Sequence, residues 1–312
     1  MTLPDFLVIG TQRGGTTLLH RILDGHPEVY VPQRRKEVHF FDWYYSRGAD
    51  WYAGFFPSEG AGDYRAIGEV TPDYLFDPHA PGRIREVLPR CKFVVSLRNP
   101  IQRAFSWYAF QLRSVNEQRT FERMIEEERA MLERGLYSQQ LARYFEIFPQ
   151  SSFLIFIYEE FIEAPEPHLD RLAAFLGLDR PWDDPAGLVQ DRVNASEIPR
   201  FRAAFARAQR VGEFFTRHDL DWVVRLARSC GIPGMFGTRK GKPRMSEQAS
   251  RQLTAYYRDE VAKLEDLLGR DLKTWSISDA RSIQEDGAGS PGPAQGPRRA
   301  RRSPPITTPQ RS

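Results

Sequence analysis

The chain has 312 residues, 44 lysines and arginines against 41 aspartates and glutamates, 12% aromatic residues and two cysteines. That length buries a sizeable core without disulfide staples. Cys91 and Cys230 make neither a disulfide framework nor a metal-ligand spacing, and no run of 18 apolar residues is present to span a membrane. Five arginines lie in the last 26 residues, so the remainder carries 39 basic against 41 acidic side chains, which excludes a generally basic nucleic-acid binder.

The N-terminus, MTLPDFLVIGTQRGG, lacks the basic, apolar and small-residue regions of a secretory signal. With so few cysteines this predicts a cytoplasmic protein. Residues 6–9 (FLVI) are a short continuous apolar run, the pattern of a strand buried on both faces. A glycine-rich loop follows, Gly10-Thr11-Gln12-Arg13-Gly14-Gly15-Thr16-Thr17, and then a helical apolar face at Leu18, Leu19, Ile22 and Leu23. A glycine turn between a strand and a helix N-terminus aims backbone N–H groups and the positive end of the helix dipole at an anion. The glycine spacing matches GxxxxGK[ST], but Thr16 stands where the nucleotide-triphosphate loop has its Lys, and the cation is Arg13 instead. A nucleotide with a single 5′ anion fits this loop better than a triphosphate. A P-loop kinase or NTPase and an ordinary glycine-rich turn remain the alternatives.

Further on, Phe40, Phe41, Trp43, Tyr44, Tyr45, Trp51 and Tyr52 form an aromatic cluster that reads equally as a ligand-stacking wall or as core. Residues 92–97 (KFVVSL) predict a second buried strand. It leads into Arg98, Asn99 as helix N-cap, Pro100 at the first helical position, and a helix over 101–113 carrying Arg103 and Ser106. Arg98 thus falls at a strand's carboxyl end, where open α/β sheets bind ligands, and Ser106 two turns on can face the same way. Helical patterns follow at 121–132 and 141–148, a strand at 152–158 (SFLIFIY), and helices at 169–176, 219–228 and 248–268. Ser246 is the predicted N-cap of the last, with Glu247 in its first turn. Between the last two helices, residues 239–244 (RKGKPR) make a cationic loop able to close over a phosphate, or a solvated turn.

The alternation of strand and helix predicts an α/β fold, a P-loop-type parallel sheet with helices on both faces. Residues 1–280 read as a single domain. Residues 281–312 read as a disordered tail rich in Pro, Gly and Arg, whose composition buries too little apolar surface to offset its ordering entropy.

Taken together in this order, TQRGGTTLL, VSLRNPIQRAFSWY, KGKPR and KEVHFFD resemble the sulfotransferases that use 3′-phosphoadenosine 5′-phosphosulfate (PAPS), most nearly the branch of the heparan sulfate N- and 3-O-sulfotransferases. The likeness covers about residues 5–276. It implies a PAPS site with Arg13, Gly14, Gly15, Thr16 and Thr17 on the 5′ side and Arg98, Ser106, Lys240, Gly241 and Lys242 at the 3′-phosphate. It further implies Glu37 as catalytic base, with Arg13 and His39 catalytic and with His39 and Asp42 in the acceptor cleft. No metal is implied. A carboxylate followed at i+2 by an imidazole and then by two phenylalanines suits removal of an acceptor proton, although Glu37 read alone equally suits a surface pair with Lys36 or Arg35.

Two positions depart from the branch, which usually carries Lys where Arg13 and Val70 stand. A guanidinium stabilises charge but does not readily give up a proton, so Arg13 has an electrostatic role. Val70 lacks a charge, which weighs against an acceptor of heparan type. The expected reaction is sulfonate transfer from PAPS to a hydroxyl or amine of an acceptor, carbohydrate or glycoconjugate first, with a lipid or natural product as the alternative small-molecule acceptor. Neither nucleic acid nor a membrane is an expected partner, and nothing in the sequence sets the oligomeric state.

Overall fold

The computed structural model describes residues 2–190 except 59, 115 and 116, residues 243–275, and positions 198, 199, 211, 215, 238 and 239. The predicted helix at 219–228, the loop Lys240, Gly241 and Lys242, Cys230 and the predicted tail 281–312 lie outside these residues. Met1–Ser278 make one compact unit; the second, Asp279–Ser312, also lies outside them.

Five strands run parallel: β1 (Phe6–Gly10), β2 (Val29–Tyr30), β3 (Ala66–Val70), β4 (Lys92–Leu97) and β5 (Phe153–Ile157), in the order β2-β3-β1-β4-β5. Every residue of β1 and β3 is buried. Alternation across the pleat divides them between two cores. Leu7 and Ile9 join the core that holds Ile84, Leu141, Tyr144, Leu264 and Trp275, while Phe6 and Val8 join Leu19, Ile22, Leu169 and Leu172 on the other face. A sheet apolar on both sides needs helices on both, and has them.

Among the described residues the helices are, in chain order, α1 (Thr16–Asp24), α2 (Gly48–Ala53), α3 (Ala80–Val87), α4 (Pro100–Ser114), α5 (Phe121–Glu127), α6 (Arg129–Glu133), α7 (Tyr137–Phe145), α8 (Tyr158–Glu163), α9 (Pro165–Leu176), α10 (Pro185–Gln190) and α11 (Glu247–Leu268). Ile198–Pro199 pairs antiparallel with Thr238–Arg239. No helix among the described residues is long and apolar enough to cross a membrane.

The predicted caps form. Asn99 Oδ1 accepts from the backbone N–H of Ile101 (3.0 Å) and Gln102 (3.2 Å), and Ser246 Oγ accepts from that of Ala249 (3.1 Å). One predicted helix, 121–132, is two: the chain turns at Glu128, so that Phe121, Met124 and Ile125 of α5 and Met131 and Leu132 of α6 all reach a third core against Ile101, Leu253 and Tyr257. Strands β2 and β3 were not predicted. Cys91 is a free thiol in the main core, and burial pushes its pKa well up.

Candidate active site

From β1 the chain passes to β2 and β3 on one side of the sheet, then crosses to β4 and β5 on the other. The direction of travel therefore switches between β1 and β4, and the crevice outside their carboxyl ends is where such sheets take ligands. Two sequence features that looked separate meet there. Thr11 N–H donates to the Ser96 carbonyl of β4 (2.8 Å), and Ser96 Oγ donates to the Gly14 carbonyl (2.5 Å). A Cβ on Gly14 would lie 2.5 Å from the Ser96 carbonyl oxygen. Gly15, at φ 87°, caps α1 with no room for a Cβ against the ring of Tyr158. Contact requires both glycines, and at Gly15 the left-handed conformation requires one as well.

Arg13 and Arg98 cross between the loops. Arg13 Nε donates to Ser106 Oγ on α4 (3.2 Å) and its guanidinium lies 5.0 Å from the Phe110 ring centre. Arg98 Nη1 donates to the Arg13 carbonyl (3.2 Å), its guanidinium lies 5.0 Å from the Tyr158 ring centre, and the Arg98 carbonyl accepts from Tyr137 Oη (2.9 Å). Arg13, Gly14, Gly15, Thr16, Arg98 and Ser106 thus form one cluster, with Thr17 exposed in the first turn of α1.

The segment with Glu37, His39 and Asp42 lies beside it, held by hydroxyls that the sequence reading did not single out. Thr71 Oγ1 accepts from the N–H of Val38 (3.1 Å), and Tyr74 Oη from those of Phe40 (2.8 Å) and Phe41 (3.3 Å); both side chains are fully buried. The signal was present in GEVTPDY, where a Thr and a Tyr follow a strand end, but their targets are more than 30 residues away. His39 sits at φ 57°, a left-handed conformation uncommon outside glycine, and these bonds hold the backbone on both sides of it.

The charges form a chain. Lys36 Nζ donates to Thr17 Oγ1 (3.1 Å) and to Glu37 Oε1 (2.8 Å). His39 Nε2 lies 3.6 Å from Glu37 Oε2, and Nδ1 lies 2.8 Å from Asp42 Oδ2. Burial works against a charged His39, yet the hydrogen bonds and charges of Asp42 and Glu37 outweigh it and raise its pKa to about 9. Burial likewise pushes Glu37 up, but His39 and Lys36 together hold its carboxyl at about 2. His39 is therefore an imidazolium at neutral pH, between two carboxylates. Behind this chain, Glu69 is wholly buried and accepts from Tyr52 Oη (3.0 Å); burial raises its pKa to about 7.

The aromatic cluster divides: Phe40, Phe41 and Tyr52 are core, whereas Trp43 is 61% exposed and stacks on His39 at 3.9 Å. Among the described residues His39, Asp42 and Asp73 bring ligand atoms within 4.8 Å of one another. Those atoms are already matched, by the proton His39 shares with Asp42 and by Arg134 on Asp73.

The sequence pattern of the family described as "Sulfotransferase domain" matches residues 3–218. The chain belongs to the sulfotransferase family. This sulfotransferase is 34% identical over 280 residues to human heparan sulfate glucosamine 3-O-sulfotransferase 6, covering 86% of the chain and 73% of that protein. It is 28% identical over 307 residues to human bifunctional heparan sulfate N-deacetylase/N-sulfotransferase 3, covering 90% of the chain; it spans only about a third of that protein's length (32%). The crystal structure of a sulfotransferase from Alicyclobacillus acidocaldarius superposes with a TM-score of 0.64 at 25% identity, over 88% of this chain and 99% of that one.

The kinase alternative ends with this membership, and the protein is an enzyme whose sulfonate donor is PAPS. The residues present suit such a donor: a cradle that tolerates no Cβ at Gly14 or Gly15, a helix N-terminus, two arginines, and a buried Arg98 Nε with no hydrogen-bond partner among the described residues.

Proposed function

We propose that this sulfotransferase sulfonates a hydroxyl or amine of a carbohydrate acceptor, with Glu37 as the general base. The observation that carries the reading is the Lys36 bridge, which joins the Glu37 carboxylate directly to Thr17 of the donor loop. A base must stand within hydrogen-bond reach of the proton it takes, and that bridge holds this carboxylate next to the donor. Bound PAPS supplies the sulfonate, whose bond to the 5′-phosphate breaks as the acceptor oxygen or nitrogen bonds to sulfur.

Backbone N–H groups of Gly15, Thr16 and Thr17 at the start of α1 hold the 5′ side, where Gly14, its own N–H bonded to the Thr11 carbonyl, lets the loop approach closely and Arg13 balances charge. Arg98 and Ser106 hold the 3′-phosphate, joined by Lys240, Gly241 and Lys242. His39 is not the base, since an imidazolium has no lone pair to offer below about pH 9; it orients Glu37 and Asp42 at the acceptor cleft. The exposed face of Trp43 offers the acceptor a stacking surface of the kind sugars use. A catalytic unit of residues 1–280 with an appended tail is part of the same reading.

Arg98→Ala is expected to weaken binding of the product 3′-phosphoadenosine 5′-phosphate (PAP) about 10- to 100-fold in calorimetry, the worth of a charge-assisted phosphate contact. Unchanged affinity would move the 3′-phosphate elsewhere. For the acceptor, the test is a panel of glycans and small hydroxyl and amine compounds incubated with labelled PAPS, with mass spectrometry of the product. Label confined to lipids or natural products would remove the carbohydrate reading.

A further inference from the structure

We propose that Lys36 is a catalytic residue of the transfer, a mobile cation that passes from Glu37 to the sulfonate and the leaving phosphate when the donor is bound. This rests on the reading of the Thr11–Thr17 loop as the donor cradle. Lys36 Nζ already touches both sides of the reaction, Thr17 Oγ1 at 3.1 Å and Glu37 Oε1 at 2.8 Å, and its side chain is 30% exposed. A turn of one flexible four-carbon stem is enough to exchange one partner for the other.

Arg13 does not supply such a cation. Its Nε is directed to Ser106 and its plane to Phe110, on the side of the cradle shared with Arg98, and a guanidinium fixed in a fork is less able to follow a charge that moves. The leaving oxygen gains negative charge as its bond to sulfur breaks, and a cation that moves beside it as the donor binds is attracted more strongly as that charge grows, so it lowers the barrier more than it tightens donor binding. An ammonium parked on a neighbouring carboxylate has this property.

The exchange also acts on the base. While Lys36 and His39 both hold Glu37, its carboxyl stays at about 2 and is a weak base. Withdrawal of Lys36 removes one of the two cations and raises its affinity for a proton. Among the described residues, further titratable groups near this chain are His39 and Asp42 on the same segment, Glu69 and Asp73 beside them, and Asp24 and His20 on α1, the last with a pKa that burial and the nearby Lys36 both lower.

The step balances. The acceptor O–H or N–H gives its proton to Glu37, the acceptor atom bonds to sulfur, and the electron pair of the broken S–O bond stays on the 5′-phosphate oxygen. Lys36 remains an ammonium throughout and returns to Glu37 when that carboxylate is free again. The proton on Glu37 passes to water after products leave.

The experiment is calorimetry with PAPS and with PAP on the wild type, Lys36→Met and Lys36→Arg, together with the rate at which each releases PAP from PAPS with water as acceptor. Lys36→Met is expected to keep its PAP affinity within about twofold, to lower the PAPS-to-PAP affinity ratio about tenfold, and to slow PAP release about 100-fold. Lys36→Arg is expected to recover most of the PAPS affinity and little of the rate. Wild-type levels of both ratio and rate in Lys36→Met would overturn the role of Lys36 alone. Equal loss of PAP and PAPS binding would do the same, marking Lys36 as a prop for the loop through Thr17. A wild type that binds no PAP would instead overturn the reading of the cradle, and the proposal with it.

Discussion

Glu37→Gln is expected to slow sulfonate transfer about 10²- to 10⁴-fold while PAP binding stays within about twofold of the wild type. Glutamine preserves the shape of the side chain, and its carbonyl oxygen still accepts from Lys36, so the bridge to Thr17 survives. What it loses is the capacity to take a proton. The pH profile separates this from damage to the loop. In the wild type kcat/KM reports the free enzyme, so its acid limb should lie far below neutrality, near the value of about 2 held by His39 and Lys36. Its alkaline limb should follow loss of the His39 proton near pH 9. In Glu37→Gln the residual rate should lose the acid limb, and the alkaline limb should move down, because His39 has lost one of the two carboxylates that keep it charged. Full activity in this variant would remove Glu37 as the base. The imidazolium could not replace it at neutral pH, so the proton would have to leave through another group.

The second large effect is on stability. Between pH 4 and pH 8 the stability of Glu69→Gln relative to the wild type should improve by about 3 kcal/mol, read from denaturant midpoints at each pH. The sign follows from linkage. An ordinary glutamate has a pKa of 4.5, and burial raises that of Glu69 to about 7. Between those values the folded protein holds a proton that the unfolded chain has lost, so wild-type stability falls as pH rises from about 4.5 to about 7 and the deficit is complete above. Gln carries no proton to lose and shows none of this slope. Its amide keeps an acceptor for Tyr52 Oη and buries an N–H₂ that needs a partner, a constant cost that cancels when the two pH values are compared. His39 contributes in a higher window: its raised pKa stabilises the fold fully below 6.5, and that stabilisation is lost as pH rises through about 9. A flat difference between pH 4 and pH 8 would mean that water or a cation reaches Glu69.

Much of the sheet and of the glycine loop was legible from the sequence because their signals are local. Buried strands β1, β4 and β5 show as apolar runs, the Asn99, Pro100 and Ser246 caps act within three residues of themselves, and a glycine loop between strand and helix is contiguous. The alternation of these elements was enough for a parallel sheet with helices on both faces. Strand β3 escaped because it reads AIGEV, with a glycine and a carboxylate in the middle. Neither looks like core until the sheet is built: a Cβ on Gly68 would lie 2.3 Å from the Phe6 ring, and Glu69 is tolerated because Tyr52 donates to it and its raised pKa lets it stay neutral up to about pH 7.

By itself, the sequence singled out the candidate groups: the glycines of the loop after β1, the cations Arg13 and Arg98, and the Glu37, His39 and Asp42 of one short segment. Their partnerships and protonation were decided only in three dimensions. Topology put the loops after β1 and β4 side by side, 93 residues separate Arg13 from the Ser106 it bonds, and Thr71 and Tyr74, just after β3, hold a segment that follows the neighbouring strand β2. The pKa of a group depends on burial and on the charges a few ångströms away, whatever their place in the chain. That is why Lys36, read as a neighbour of Glu37, became a link between Glu37 and Thr17 of the glycine loop, and why His39 became a fixed cation.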